Sequence, residues 1–165
     1  MLAAHFRTMA AYNRWANRRL YDAAARLPDA DYRADRKAFF RSLHGTLNHL
    51  LLTDRLWLLR LTGRGEVPPA LDAILYERLA DLTVAREAED ERLNDYVAGL
   101  DGPALARTVT YRNTKGAEIS ASLGTLLAHI FNHQTHHRGQ AHAVLTALGR
   151  EAPVLDLVEF LRMSR

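Results

Sequence analysis

Ser122-Leu-Gly-Thr-Leu-Leu-Ala-His-Ile-Phe-Asn-His-Gln-Thr-His-His-Arg-Gly-Gln-Ala-His-Ala-Val-Leu-Thr-Ala-Leu-Gly149 is the stretch on which the fold turns. Leu126, Leu127, Ile130, Val144, Leu145 and Leu148 recur in it at helical steps. Ser122 offers a hydroxyl to cap the first turn, and Gly149 suits the left-handed residue that ends many helices. The spacing predicts one long helix from about Leu123 to Leu148. Into its inward stripe, between Ile130 and Val144, fall two histidines, His133 and His137.

Upstream of this helix the apolar period changes from helical to alternating. Val109 and Tyr111 precede a turn at Asn113-Thr-Lys-Gly116, and Ile119 follows it, which reads as a short β-hairpin between Thr108 and Ala121. Downstream of Pro153 a short last helix is expected over Leu155 to Arg162.

Three further long helices precede the hairpin. From Leu2 to Leu27 one face carries Leu2, Phe6, Met9, Asn13, Ala16, Leu20, Ala24 and Leu27, and Pro28 stops it. Asn13 interrupts the apolar stripe beside Tyr12 and Trp15. A second helix from about Phe39 to Leu61 is apolar on two sides, with Leu43, Leu47, Leu50, Asp54, Trp57 and Leu61 on one stripe and His49, Leu52, Leu56 and Leu59 on another. Such a helix is either central or covered by a second subunit. A third should run from about Ala70 to Leu100, its charged stretch Arg86 to Arg92 forming a solvated face. Gly99, Gly102 and Pro103 close it. Four long helices with brief connections predict an all-α protein, a four-helix bundle forming a single domain over residues 1–165.

The bulk properties agree. A chain of 165 residues buries roughly two-thirds of its unfolded surface without staples, and 48% apolar with 25% charged residues is an ordinary globular mix. There is no cysteine, so a disulfide framework and a thiol-based zinc finger are excluded, and a catalytic thiol must come from outside the chain. The start, Met1-Leu-Ala-Ala-His-Phe-Arg7, lacks an apolar leader core, and no run approaches the ~18 apolar residues of a membrane helix. A cytoplasmic protein without a membrane partner is expected. A net charge of +3 and a pI near 9.5 do not point to nucleic acid, because the basic residues are scattered among Asp and Glu.

Seven of the eight histidines fall on two predicted helices: His44 and His49 on the second, and His129, His133, His136, His137 and His142 on the fourth. His133 and His137, four residues apart, project from one face about one turn apart. Buried imidazoles without an acidic neighbour are satisfied most simply by a divalent ion, and a catalytic or structural ion usually takes at least three protein ligands. His49 is the natural third. Spacing leaves His129 with His133 nearly as good a pair, and His44 is a second histidine on the second helix. Gln134 stands where a zinc protease carries its glutamate base, so peptide hydrolysis by that route is not expected.

Three blocks, Tyr12-Asn-Arg-Trp-Ala-Asn17, Leu43-His-Gly-Thr-Leu-Asn-His49 with Asp54-Arg-Leu-Trp57, and His129-Ile-Phe-Asn-His-Gln-Thr-His-His-Arg-Gly-Gln140, resemble the DinB family of the DinB/YfiT-like metalloenzyme superfamily over nearly the whole chain. The resemblance implies an up-down-down-up bundle, often a homodimer, with one divalent metal held by His49, His133 and His137, which settles the ligand choice that spacing left open. Relatives with assigned activity include transferases and an isomerase that use low-molecular-weight thiols. The resulting expectation is a thiol-dependent S-transferase or a hydrolase acting on a small molecule. The alternative is a non-catalytic bundle in which the metal is structural or sensed.

Zinc or nickel suits such a site best, and iron or manganese is compatible with imidazole ligands. His136 and His129 are candidates for a hydrogen bond to a ligand or for proton transfer, with His136 the candidate catalytic residue; a plain surface histidine is the competing reading for each. Tyr12, Asn13 and Asp54 are candidates to line the same cavity, Asp54 as a carboxylate holding an imidazole or an Arg; ordinary buried polar contacts are the competing reading.

Overall fold

The computed structural model describes residues 1–163 and is mostly helical, with one small antiparallel sheet. In chain order the elements are α1 (Leu2–Ala25), α2 (Asp29–Arg33), α3 (Leu43–Thr62), α4 (Leu79–Ala98), α5 (Gly102–Ala106), β1 (Thr108–Arg112), β2 (Glu118–Ser122), α6 (Leu123–Ala147) and α7 (Leu157–Met163). Among the described residues no helix is long and apolar enough to cross a membrane.

The hairpin and α6 form where the sequence places them. Thr108 lies opposite Ser122 and Tyr111 opposite Ile119. Ser122 then accepts from the backbone N–H of Thr125 and so starts α6 as its cap.

Two helices begin later than their apolar period suggests. α3 starts at Leu43 rather than Phe39 because Ser42 caps it, accepting from Gly45 N at 3.0 Å, while Arg41 just before takes a left-handed φ of 63°. α4 starts at Leu79 rather than Ala70. The backbone of residues 71–76 is used by α3 side chains instead: Leu75 N and Tyr76 N donate to Asn48 Oδ1, each at 2.9 Å, and the Leu71 carbonyl faces His49 Nδ1 at 2.8 Å. Those bonds replace the ladder a helix would have made.

The apolar interior divides into two clusters. One gathers Phe6 and Ala10, Trp57 to Leu61, Leu93 and Val97, and Leu123 to Phe131. The other gathers Leu20 to Ala24, Leu43 to Leu51, Leu82 and Ala85, and Ala141 to Leu145. α1 and α6 thus visit the first cluster before the second, and α3 and α4 visit them in the reverse order.

Between the clusters, each long helix turns a buried polar residue inward: Asn13 and Asn17 from α1, Asp54 from α3, Arg86 and Asp90 from α4, Gln134 and Arg138 from α6. Arg86 pairs with Asp54 at 2.9 Å and with Asp90 at 3.0 Å. Asn17 donates to Asp90 Oδ1 at 2.9 Å, Gln134 donates to Asp54 Oδ1 at 2.5 Å, and Arg138 donates to Asn13 Oδ1. The run Arg86 to Arg92 is therefore a solvated face only in part: Glu87, Glu91 and Arg92 are exposed, but Arg86, Glu89 and Asp90 are buried. Reciprocal charges across three helices make that burial tolerable.

α3 is central: its apolar residues on both stripes, apart from the half-buried Leu59, are buried within the chain itself. A second subunit is not needed to cover them.

Candidate metal centre

α3 and α6 bring His49, His133 and His137 together, with one ring nitrogen from each lying within 4.8 Å of the others. His49 and His137 are buried and His133 half-buried. His49 Nε2 and His133 Nε2 stand 3.4 Å apart, and the rings of His133 and His137 have centroids 4.3 Å apart. Ligands at about 2.0–2.1 Å from a tetrahedral ion would have nitrogens about 3.3–3.4 Å apart. The His49 and His133 nitrogens are therefore already at the separation a divalent ion needs.

Two of the rings are oriented from behind. The Leu71 carbonyl can only accept a hydrogen bond, so it fixes His49 Nδ1 as a donor and leaves Nε2 with its lone pair toward the cluster. Gln140 Oε1 does the same for His137 Nδ1 at 2.8 Å, and the Gln140 amide donates to His136 Nε2 at 3.1 Å. Partners of this kind hold a ligand's tautomer and direction.

The electrostatics suit metal rather than protons. Burial, and then the neighbouring His137, lowers the His49 pKa from 6.5 to about 4. Burial, and then His137 and His49, lowers His133 to about 3. His137 is lowered as well, chiefly by burial. All three rings stay neutral where an exposed histidine would already be charged.

Phe40, from the turn before α3, lies flat on His49, with centroids 3.8 Å apart and planes 22° apart. Gly45 permits this, because a Cβ there would overlap the Phe40 carbonyl oxygen. Gly45→Ala is expected to push the Phe40 backbone off α3, to cost about 1–3 kcal/mol by overpacking, and to weaken metal retention against a competing chelator. An unchanged melting temperature together with unchanged retention would show that the contact is immaterial.

A cavity of about 1110 Å³ opens directly onto the three histidines. His136, Gln140, Phe39, Phe40, Arg41 and Asp72 are among its lining residues. The other sequence candidates lie elsewhere. His44 sits between Arg33 and the Tyr76 carbonyl, and His129 is exposed with its ring against Trp57 at 5.0 Å. Tyr12, Asn13 and Asp54 do not line the cavity. Tyr12 donates to the Leu155 carbonyl at 2.6 Å, and Asn13 and Asp54 belong to the buried polar layer, Asp54 holding Arg86 rather than an imidazole.

Gln140 was within reach of sequence reasoning, being three residues beyond His137 on the same face. Phe40 and the Leu71 carbonyl were not, because both come from irregular segments whose path no periodicity reveals.

Fold and site together define a helical protein whose histidine triad, on two of its long helices, could hold a metal ion at the floor of an open cavity. The chain belongs to the DinB family, whose model matches residues 1–164. It is also similar to Protein DinB of Bacillus subtilis (strain 168), 28% identical over 162 residues that cover 93% of this chain and 92% of that protein.

Proposed function

We propose that this protein is a metalloenzyme that binds one divalent ion, zinc or nickel in preference to iron or manganese, through His49, His133 and His137. We further propose that it acts on a small molecule by transfer to a low-molecular-weight thiol or by hydrolysis. The observation that carries this reading is the cavity opening onto the ring nitrogens. A structural or sensing ion would be served better by a closed shell.

When bound, the ion would supply a Lewis acid that promotes ionisation of a water or thiol placed against it. The chain's own residues do the rest. Leu71 and Gln140 keep two imidazoles aimed, and Phe40 covers one face of His49. His136 lines the cavity and accepts from Gln140 at Nε2, so in its neutral tautomer the ring carries its proton on Nδ1. Because the chain has no cysteine, a thiol nucleophile must be a small molecule, which fits a cytoplasmic setting.

The same reading takes the four long helices as an up-down-down-up bundle. It is supported by the order in which they visit the two apolar clusters and by the long connection over residues 63–78, which two successive helices of the same direction require. A homodimer belongs to the proposal too, through a surface other than the buried stripes of α3.

The first test is elemental analysis of purified, tag-free protein followed by a survey of small thiols. About one equivalent of metal with metal-dependent thiol binding supports the transferase; metal without a thiol response leaves hydrolysis. Absence of metal after reconstitution overturns the proposal.

The pH dependence follows from the burial of the site. An exposed three-histidine site releases its ion as pH falls below about 6.5. Here the rings resist protonation to about 4 for His49 and about 3 for His133, so metal should survive dialysis at about pH 5.5. In the metal-free protein the unfolded chain binds more protons than the folded one below pH 6.5. The contribution of these histidines to metal-free stability therefore falls as pH drops from 6.5 toward 4 and is flat above, while Asp54, raised to about 6, offsets part of that loss.

A further inference from the structure

One cation on the cavity wall has nothing to answer it. Arg33 is fully engaged, with Nε on Asp29 at 2.9 Å and Nη1 on Glu77 at 3.0 Å. Arg41 lines the same cavity, and its guanidinium has no hydrogen bond, ion pair or ring contact among the described residues. Its backbone is held left-handed at φ 63°, a conformation uncommon for a residue with a side chain. Two bonds fix it there: Arg41 N donates to Ala38 O at 2.8 Å, and Arg36 N donates to Arg41 O at 2.7 Å. One turn thus delivers Phe40 to His49 and, in the next residue, Arg41 to the cavity.

Apolar and acidic residues share the wall with Arg41. Phe39, Leu71 and Ile74 line the cavity yet remain 79%, 40% and 40% exposed, a cost that a ligand's apolar body would relieve. Asp35 and Asp72 also line it. With Arg33 neutralised, Arg41 is the wall's cation left free to make a charged hydrogen bond, while repulsion from Asp35 and Asp72 grows with ligand charge and so favours a monoanion over a phosphate dianion.

We propose that the cavity binds a small molecule with an apolar body and one carboxylate, the carboxylate on Arg41, the body against Phe39, Leu71 and Ile74, and the reactive end toward the three histidines. Only the last clause rests on the metal reading.

Calorimetric titration of the full chain, metal-loaded and metal-free, with 4-phenylbutyrate and its uncharged counterpart 4-phenylbutanol tests this. The carboxylate should bind about tenfold or more tightly in both forms, the scale of a charged hydrogen bond. Arg41→Gln should erase that preference, and Arg41→Asn, which tolerates a left-handed backbone, should do the same should the first variant fold poorly. Phe39→Ala should weaken both probes alike.

Equal binding of the two probes, binding of neither at millimolar concentration, or a preference that survives Arg41→Gln overturns the proposal. A preference seen only with metal present also overturns it, since the ion would then be the anchor. Elemental analysis of the same samples reports the metal reading separately, so either can fail alone.

Discussion

His137→Ala is expected to take bound metal from about one equivalent to about a tenth or less after gel filtration, with the helical circular dichroism signal retained. His137 is one of three imidazoles whose nitrogens meet within 4.8 Å, and without it two remain, too few for a stable site in competition with water. The fold should persist because the two apolar clusters and the polar layer between them use other residues. Gln140→Ala should have a smaller effect, a roughly 10–100-fold loss of affinity, since it removes only the acceptor that orients the ring. His142→Ala should change nothing, as that ring lies outside the cluster. One equivalent of metal retained by His137→Ala would refute the ligand assignment.

The parts of this protein that could be read from sequence are those governed by one helix's own period. α6 shows this best: its cap, its apolar stripe and the pair His133 and His137 are all local, and all are in place. Even there, choosing His133 with His137 over His129 with His133 took the motif resemblance, because both pairs have the same spacing. α4 shows the limit. Its apolar period continues back through Leu75 and Leu71, yet the competition between an intrahelical ladder and the side chains of Asn48 and His49 is decided by a helix that lies 22–28 residues earlier in the chain.

The charge run on α4 misleads for a related reason. Whether Arg86 faces water depends on whether another helix offers a carboxylate, and Asp54 and Arg86 lie 32 positions apart. Asp54 interrupts an otherwise apolar stripe of α3, and Asn13 does the same on α1. Two such interruptions facing a charged stretch on a third helix are the trace that a buried polar layer leaves in sequence. The wall of the site is hidden most completely, since Phe40 and Arg41 depend on a non-periodic turn and on the room left by Gly45.

Arg86→Met is expected to destabilise the protein by about 3–5 kcal/mol, the scale of breaking a buried ion pair by removing one partner. Arg86 is 2% exposed, and its guanidinium separates Asp54 from Asp90. Methionine fills much of the volume but leaves two carboxylates in an interior with Asn13, Asn17 and Gln134 as their remaining donors. Burial already pushes the Asp54 carboxyl up to about 6 against the pull of Arg86. Without that pull it rises further, so in the variant the folded state binds protons more readily than the unfolded one. The deficit should accordingly be largest near neutral pH and shrink as pH falls and the carboxyls protonate. Combining Arg86→Met with Asp54→Leu and Asp90→Leu removes the unpaired charges and should recover part of the loss. Denaturant unfolding of the series at two pH values measures both effects. A deficit under about 1 kcal/mol for Arg86→Met alone, within the range of an exposed ion pair, would mean that water reaches this layer and that its charges do not set how the four long helices align.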